Sequence, residues 1–145
     1  MDEIVIGYTT GVFDMFHVGH LRLLKKAKEN CDYLIVGVSS DELVKQYKNK
    51  TPVIPLADRM EIISAIKYVD EVVVQKDRDK LAAHSELNFQ VMFVGDDWKG
   101  NPLWTQLEQD LQKRGAHIKY FEYTKNVSSS QFRKILSELE FTLDA

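Results

Sequence analysis

Short apolar runs rich in valine and isoleucine alternate along the chain with longer stretches in which apolar residues recur every three or four positions. This is the rhythm of a parallel sheet wrapped by helices. Ile4 to Thr9, Tyr33 to Val38, Glu71 to Val74, Val91 to Val94 and His117 to Phe121 are the expected strands. Most are continuously apolar, as strands covered on both faces are. Helical period marks Gly19 to Glu29, Asp41 to Tyr47, Ala57 to Ile66, Asp79 to Leu87, Leu103 to Arg114 and Ser129 to Leu139, and Gly115 suits a helix stop. No repeat or low-complexity tract breaks the pattern, and the proline-bearing piece Lys48 to Pro55 is the longest irregular segment. The expectation is one α/β domain over residues 1–145, Rossmann-like and three-layered, with a parallel five-stranded sheet. Ligands of such sheets bind beyond the carboxyl ends of the strands, so residues just after each strand are the first candidates.

Composition narrows the function classes. At 44% hydrophobic and 28% charged, the 145 residues are ordinary for a globular protein. A formal net charge of -3 argues against a general grip on nucleic acid and leaves room for a local basic pocket. The start, MDEIVIGY, is acidic where a secretory signal is basic, and no apolar run approaches the roughly 18 residues of a membrane span. A cytoplasmic protein without membrane insertion is expected. Cys31 is the single cysteine, so neither a disulfide nor a thiolate zinc cluster is available, and it reads as a small apolar packing residue.

The first expected strand ends in GVFDMFHVGH, residues 11–20, and a helix follows. A helix N-terminus offers unpaired N–H groups and a positive dipole end, which favour phosphate. Gly11 lets the backbone turn or approach a ligand closely, and Gly19 keeps bulk away between the two rings. His17 and His20 are then imidazole donors facing a phosphate. Two other readings stand beside this one: His17 caps the turn while His20 is a satisfied half-buried histidine, or His17, His20 and Asp14 form a metal set.

Asp14-Met-Phe-His-Val-Gly-His20 resembles the His-x-Gly-His signature of the nucleotidylyltransferase superfamily, and residues 11–20 as a whole resemble its cytidylyltransferase branch. Lys67-Tyr-Val-Asp-Glu-Val72, Gly95-Asp-Asp-Trp98 and Val127-Ser-Ser-Ser130 resemble further motifs of that branch, in order, so that the similarity spans nearly the whole chain. Within the branch it is most similar to the glycerol-3-phosphate cytidylyltransferases, which make CDP-glycerol for cell-surface polymers. The resemblance implies CTP, a small phosphorylated acceptor, Mg2+ bridging the triphosphate near Asp14, and a homodimer. It also implies a nucleotide site drawn from Gly11, Val12, Phe13, Asp14 and Gly19, from Asp96, Asp97 and Trp98, and from Thr124, Val127, Ser128, Ser129, Ser130 and Arg133. His17, His20, Lys48 and Arg59 become the catalytic candidates, and Lys48, Arg59 and Lys67 the acceptor-binding ones.

Several of these residues have plainer readings. Ser128 with Gln131 three later makes a capping box, although three hydroxyls at a helix start also suit a triphosphate. Lysines such as Lys45 and Lys50 near a helix end complement its dipole. Asp96, Asp97 and Trp98 form a turn with an interfacial aromatic or the wall of a nucleoside pocket, whereas Trp104 falls on the packing stripe Leu103, Leu107, Leu111. Lys67 stands where the branch has arginine, and Tyr123, before Thr124, where it usually has another. Both exchanges lose the planar fork that binds phosphate bidentately.

The chemistry these residues suit is attack by a phosphate monoester on the α-phosphorus of CTP. With a second pKa of about 6, such a nucleophile is already mostly dianionic at neutral pH and needs no general base. That agrees with the lack of a Ser-His-Asp or paired-carboxylate pattern near the motifs. Other phosphorylated acceptors such as phosphocholine or phosphoethanolamine, an ATP-dependent adenylyltransferase and a non-catalytic nucleotide-binding module are the competing readings.

Overall fold

The structure is a computed structural model and describes residues 3–122. Its elements in chain order are β1 (Ile6–Gly11), α1 (Val18–Glu29), β2 (Tyr33–Ser39), α2 (Asp41–Lys48), α3 (Leu56–Ser64), β3 (Glu71–Gln75), α4 (Lys80–Leu87), β4 (Val91–Gly95), α5 (Pro102–Lys113) and β5 (His117–Phe121). The helix expected from Ser129 to Leu139 lies outside the described residues. All five strands are parallel, in the order β3-β2-β1-β4-β5. This is the Rossmann-like α/β architecture that the alternating pattern predicts.

The pleat assigns the layers. Leu34, Val36 and Val38 of β2 face one side, where they join Leu24 and Ala27 of α1 and Ile63 of α3. Ile35, on the opposite face, joins Tyr8, Met92 and Leu111 of α5, with Leu81 and Leu87 of α4 packed alongside. Each such buried aliphatic side chain contributes roughly 1.5–3 kcal/mol of transfer free energy. The sheet is tightest at Gly7, where a Cβ would lie 2.6 Å from the Phe93 ring and 2.8 Å from Cys31 Sγ. Cys31 therefore packs against a strand that only glycine can supply.

Helix ends follow local chemistry. Ser40 caps α2 through a 3.1 Å bond from the Leu43 N–H, with Asp41 and Glu42 in the first turn and Lys45 and Lys48 in the last, matching the dipole. Asp79 caps α4 through the Ala82 N–H, and Asn101 with Pro102 opens α5. β1 runs two residues beyond its apolar stretch because Thr10 and Gly11 pair with Gly37 and Val38. Strand order reverses between β1 and β4: the chain winds outward through β2 to β3 on one side and through β4 to β5 on the other. The crevice at their carboxyl ends is where such a sheet receives ligands.

Candidate active site

The loop from Val12 to His17 emerges from β1 at this crevice. Phe13 and Met15 adopt left-handed backbone conformations, with φ of 53° and 48°. Each costs on the order of 1–2 kcal/mol for a residue bearing a Cβ. Tertiary contacts impose them. The Phe13 ring enters the core under α1 and meets the His20 ring edge-on at 5.5 Å. Asp14, 2% exposed, accepts the Val53 N–H at 2.7 Å and the Ile54 N–H at 2.8 Å. Arg59 Nη1 donates to the Val12 carbonyl at 2.8 Å.

The two histidines build the start of α1. His17 is the N-cap and its Nδ1 accepts the Gly19 N–H at 3.0 Å; His20, three residues on, accepts the His17 N–H at Nδ1 at 3.3 Å. This is a capping box made of imidazoles. An Nδ1 that accepts carries no proton, so each neutral ring holds its hydrogen on Nε2, the nitrogen that the capping bonds leave to other partners. The rings stack with centroids 3.9 Å apart. Burial lowers the pKa of His17. His20 is pushed down to about 4, by burial first and then by its neighbour His17, against the opposite pull of Asp14. At neutral pH both rings are therefore neutral, with their protons on Nε2, beside the dipole of the helix start.

A cleft of about 280 Å3 lies beside this loop. Thr10, Gly11 and Val12 of the β1 end, Ser39 at the end of β2, Gln75 at the end of β3 and Gly95 at the end of β4 all line it. Leu23, one turn on from His20, forms another part of the wall, as do Trp98 and Trp104, whose rings sit 5.8 Å apart. Lys48 lines it from the end of α2, and Arg78 and Lys80 from the segment after β3. The sequence reading does not single out Tyr47, Gln75, Arg78 or Lys80, although the last three fall at or within five residues of the carboxyl end of β3, where ligands of such a sheet bind.

Other candidates land elsewhere. Arg59 does not reach the cleft: it is 1% exposed, donating from Nε to the Ile54 carbonyl (2.8 Å), from Nη1 to the carbonyls of Val12 and Ser39 (2.8 and 2.7 Å), and from Nη2 to Asp41 (2.5 Å). It ties four segments together and has no face left for an acceptor phosphate. Lys67 is exposed in the link that precedes β3, which puts it at the amino end of a parallel sheet, opposite the cleft. Phe13 is core rather than nucleotide contact. Gly11 continues β1 in register with Val38, so the turn falls at Phe13 and Met15 instead. Asp14 is tied through its two oxygens to the backbone N–H groups of Val53 and Ile54. Among the described residues no group of three or more His, Cys, Asp or Glu side chains converges as a metal set. Asp96 and Asp97 are exposed in a 3-10 turn after β4, and Trp98, 39% exposed, is the member of that motif lining the cleft. Thr124, Val127, Ser128, Ser129, Ser130 and Arg133 lie outside the described residues. No described helix is long and apolar enough to cross a membrane.

A parallel sheet with a histidine-capped helix and a cation-lined cleft at its switch point offers a site whose charge suits an anionic small molecule. Comparison with known proteins narrows the class. The cytidylyltransferase-like family profile matches residues 8–135. The chain is 35% identical over 132 residues to the glycerol-3-phosphate cytidylyltransferase of Bacillus spizizenii, covering 90% of this chain and 96% of that protein. It is 44% identical over 96 residues to the FAD synthase of Pyrococcus abyssi, covering 66% and 63% respectively. The crystal structure of the lipopolysaccharide core biosynthesis protein from Thermoplasma volcanium superposes with a TM-score of 0.71 at 27% identity, covering 86% of this chain and all of that one. The chain belongs to the cytidylyltransferase-like family, and it is a nucleotidyltransferase.

Proposed function

We propose that this enzyme transfers the cytidylyl group of CTP to the phosphate of a small phosphorylated alcohol, glycerol 3-phosphate, giving CDP-glycerol and pyrophosphate. The observation that carries the reading is the pair of neutral, stacked imidazoles whose Nδ1 atoms cap α1, which puts their protons on Nε2. An acceptor phosphate oxygen forms the new bond to the α-phosphorus, and the bond from that phosphorus to the β-phosphate bridging oxygen breaks. Negative charge moves onto pyrophosphate. Preorganised Nε2–H donors beside a helix N-terminus stabilise that charge without reorganisation, while alignment of the two phosphates supplies the rest. The dianionic acceptor needs no base, which fits a site whose histidines hold their protons as donors. Mg2+ bound with CTP would supply charge neutralisation on the triphosphate.

The 35% identity to a glycerol-3-phosphate cytidylyltransferase over 90% of the chain supports this acceptor. The higher identity to an FAD synthase over a shorter stretch supports a second reading, nucleotidyl transfer to flavin mononucleotide. A matrix of CTP and ATP against glycerol 3-phosphate, phosphocholine and flavin mononucleotide, read as pyrophosphate release, separates them. The expected result is release with CTP and glycerol 3-phosphate well above every ATP pair, and none with free glycerol. Release confined to flavin mononucleotide overturns the acceptor, and release only with ATP overturns the nucleotide as well.

A further inference from the structure

The loop between β1 and α1 carries its backbone strain at Phe13 and Met15, with φ of 53° and 48°. Such conformations persist in residues bearing a Cβ only where the surroundings over-determine them. Here the two turns bring two phenylalanine rings onto one imidazole. Phe13 meets His20 edge-on with centroids 5.5 Å apart, Phe16 lies tilted against it at 5.3 Å, and His17 stacks on it at 3.9 Å. Phe13 belongs to the core, whereas Phe16 is half-buried and packs against the same cluster. The bond that orients His20 is a long one: its Nδ1 accepts the His17 N–H at 3.3 Å, at a helix start beside an open crevice. Water competes readily for such a bond. Apolar rings packed around the imidazole keep water off it and leave it few other orientations.

Resting on the reading of His20 as a donor in nucleotidyl transfer, we propose that Phe16 is a positioning residue for that reaction: its ring shields the His20 imidazole from water and, together with Phe13, fixes the plane in which that histidine meets the transferring phosphate. Phe16 acts through His20 and not on the substrate. The titration of His20 reports the same packing, because burial is the first cause of its lowered pKa of about 4, ahead of His17 and against Asp14. Those two groups lie in its own loop, and α3 adds Arg59, bonded to the Val12 carbonyl of that loop at 2.8 Å. A variant at Phe16 leaves all three charges in place. Removing the ring admits water, so the desolvation of His20 weakens and its midpoint rises toward the ordinary 6.5. Once protonated, Nδ1 cannot accept the His17 N–H, and the capping bond and the orientation of the ring are lost together.

The test compares the parent with Phe16→Ala and with Phe16→Leu, which restores apolar cover. NMR titration of the imidazole resonances, assigned against His20→Gln, reads the His20 midpoint. Initial rates with each substrate varied against saturating partner read kcat and KM. In Phe16→Ala the midpoint should rise from about 4 to about 5 or above. At pH 7.5 its kcat should fall on the order of 10- to 100-fold, the scale of a small misplacement of a reacting group, with both KM values within about threefold of the parent. Between pH 7.5 and 5 the ratio of variant to parent kcat should fall further, and the acceptor's own ionisation, near about 6, cancels in that ratio. Phe16→Leu should recover most of both effects. A purely structural phenylalanine would lower the melting temperature and leave the midpoint and the ratio alone. Four results overturn the proposal: an unmoved midpoint in folded Phe16→Ala, a raised midpoint with kcat within a fewfold of the parent, a loss confined to KM, or a Phe16→Leu protein no better than the alanine variant. If alanine unfolds the chain, Phe16→Val takes its place in the same comparison. Rates are read with whichever nucleotide and acceptor the parent uses, so a wrong substrate assignment does not disturb them. If the parent turns over no pair, the function reading fails, and the titration still decides the shield: a raised midpoint in Phe16→Ala upholds it and an unmoved one removes it.

Discussion

A histidine can serve a helix start and a phosphate together because its two nitrogens are different groups. In His17 and His20 the Nδ1 atoms are committed to the backbone of α1, and that commitment fixes the proton on Nε2. Capping and donation are then separable by substitution. Asparagine is among the preferred N-cap residues, so His17→Asn should keep the cap and melt within a few degrees of the parent. It removes the Nε2–H, and kcat should fall on the order of 100- to 1000-fold, the usual cost of one preorganised donor. His20→Ala should lose a similar factor in kcat, while calorimetry shows CTP binding much less affected. Steady-state rates and circular dichroism melts on the same preparations provide the check. A His17→Asn protein with near-parental kcat would reduce this histidine to a cap.

At the level of elements, the histidine loop is held by α3 and the 49–55 segment rather than by its own sequence. Asp14 clamps Val53 and Ile54, and Arg59 bonds the carbonyls of Val12, Ser39 and Ile54 while pairing with Asp41. Lysine cannot reproduce that fork. Arg59→Lys should therefore cost on the order of 3 kcal/mol, the usual scale for breaking a buried charged network, and lower the melting temperature by roughly 10 °C. A variant that melts with the parent but raises only the acceptor KM would restore Arg59 to a ligand role. The same residues show what pattern could reveal. Periodicity placed all five strands and α1 to α5 within about two residues, because burial on both faces leaves a plain apolar signature. The helix start around Arg59 reads as amphipathic surface, since nothing in local sequence announces that the β1 loop and α2 close over it. Lys67 was misplaced for a different reason: a residue preceding a parallel strand lies at the sheet's far end, which topology fixes and a motif does not. Arg78 and Lys80 lie in the β3–α4 connection and at the start of α4, the carboxyl end of the sheet, but they carry no recognisable motif.

For the molecule as a whole, buried ionisable groups set how stability changes with pH. His20 has a folded pKa of about 4 against an ordinary 6.5. Between those values the unfolded chain takes up a proton that the folded one refuses, so its contribution is fully present above 6.5 and is lost as pH falls toward 4. The loss is on the order of 3 kcal/mol at most, a large share of the roughly 5–15 kcal/mol that holds a domain together. Alkaline pH acts through other groups. Lys80, lowered from 10.5 to about 8, makes stability rise with pH over that window, and Tyr8, raised from 10.0 to about 12, makes it fall above 10. On the acid side, carboxylates also protonate, and a single pH curve cannot isolate the histidine. His20→Gln can, because glutamine at this third helical position reaches back to the N-cap N–H and preserves the capping box without a titrating ring. Urea unfolding of parent and His20→Gln between pH 7.5 and 4.5 should show the parent losing about 2 kcal/mol more than the variant, the carboxylate term cancelling in the difference. Parallel curves would mean that His20 titrates alike in both states, and the neutral-donor account of this histidine would fail with them.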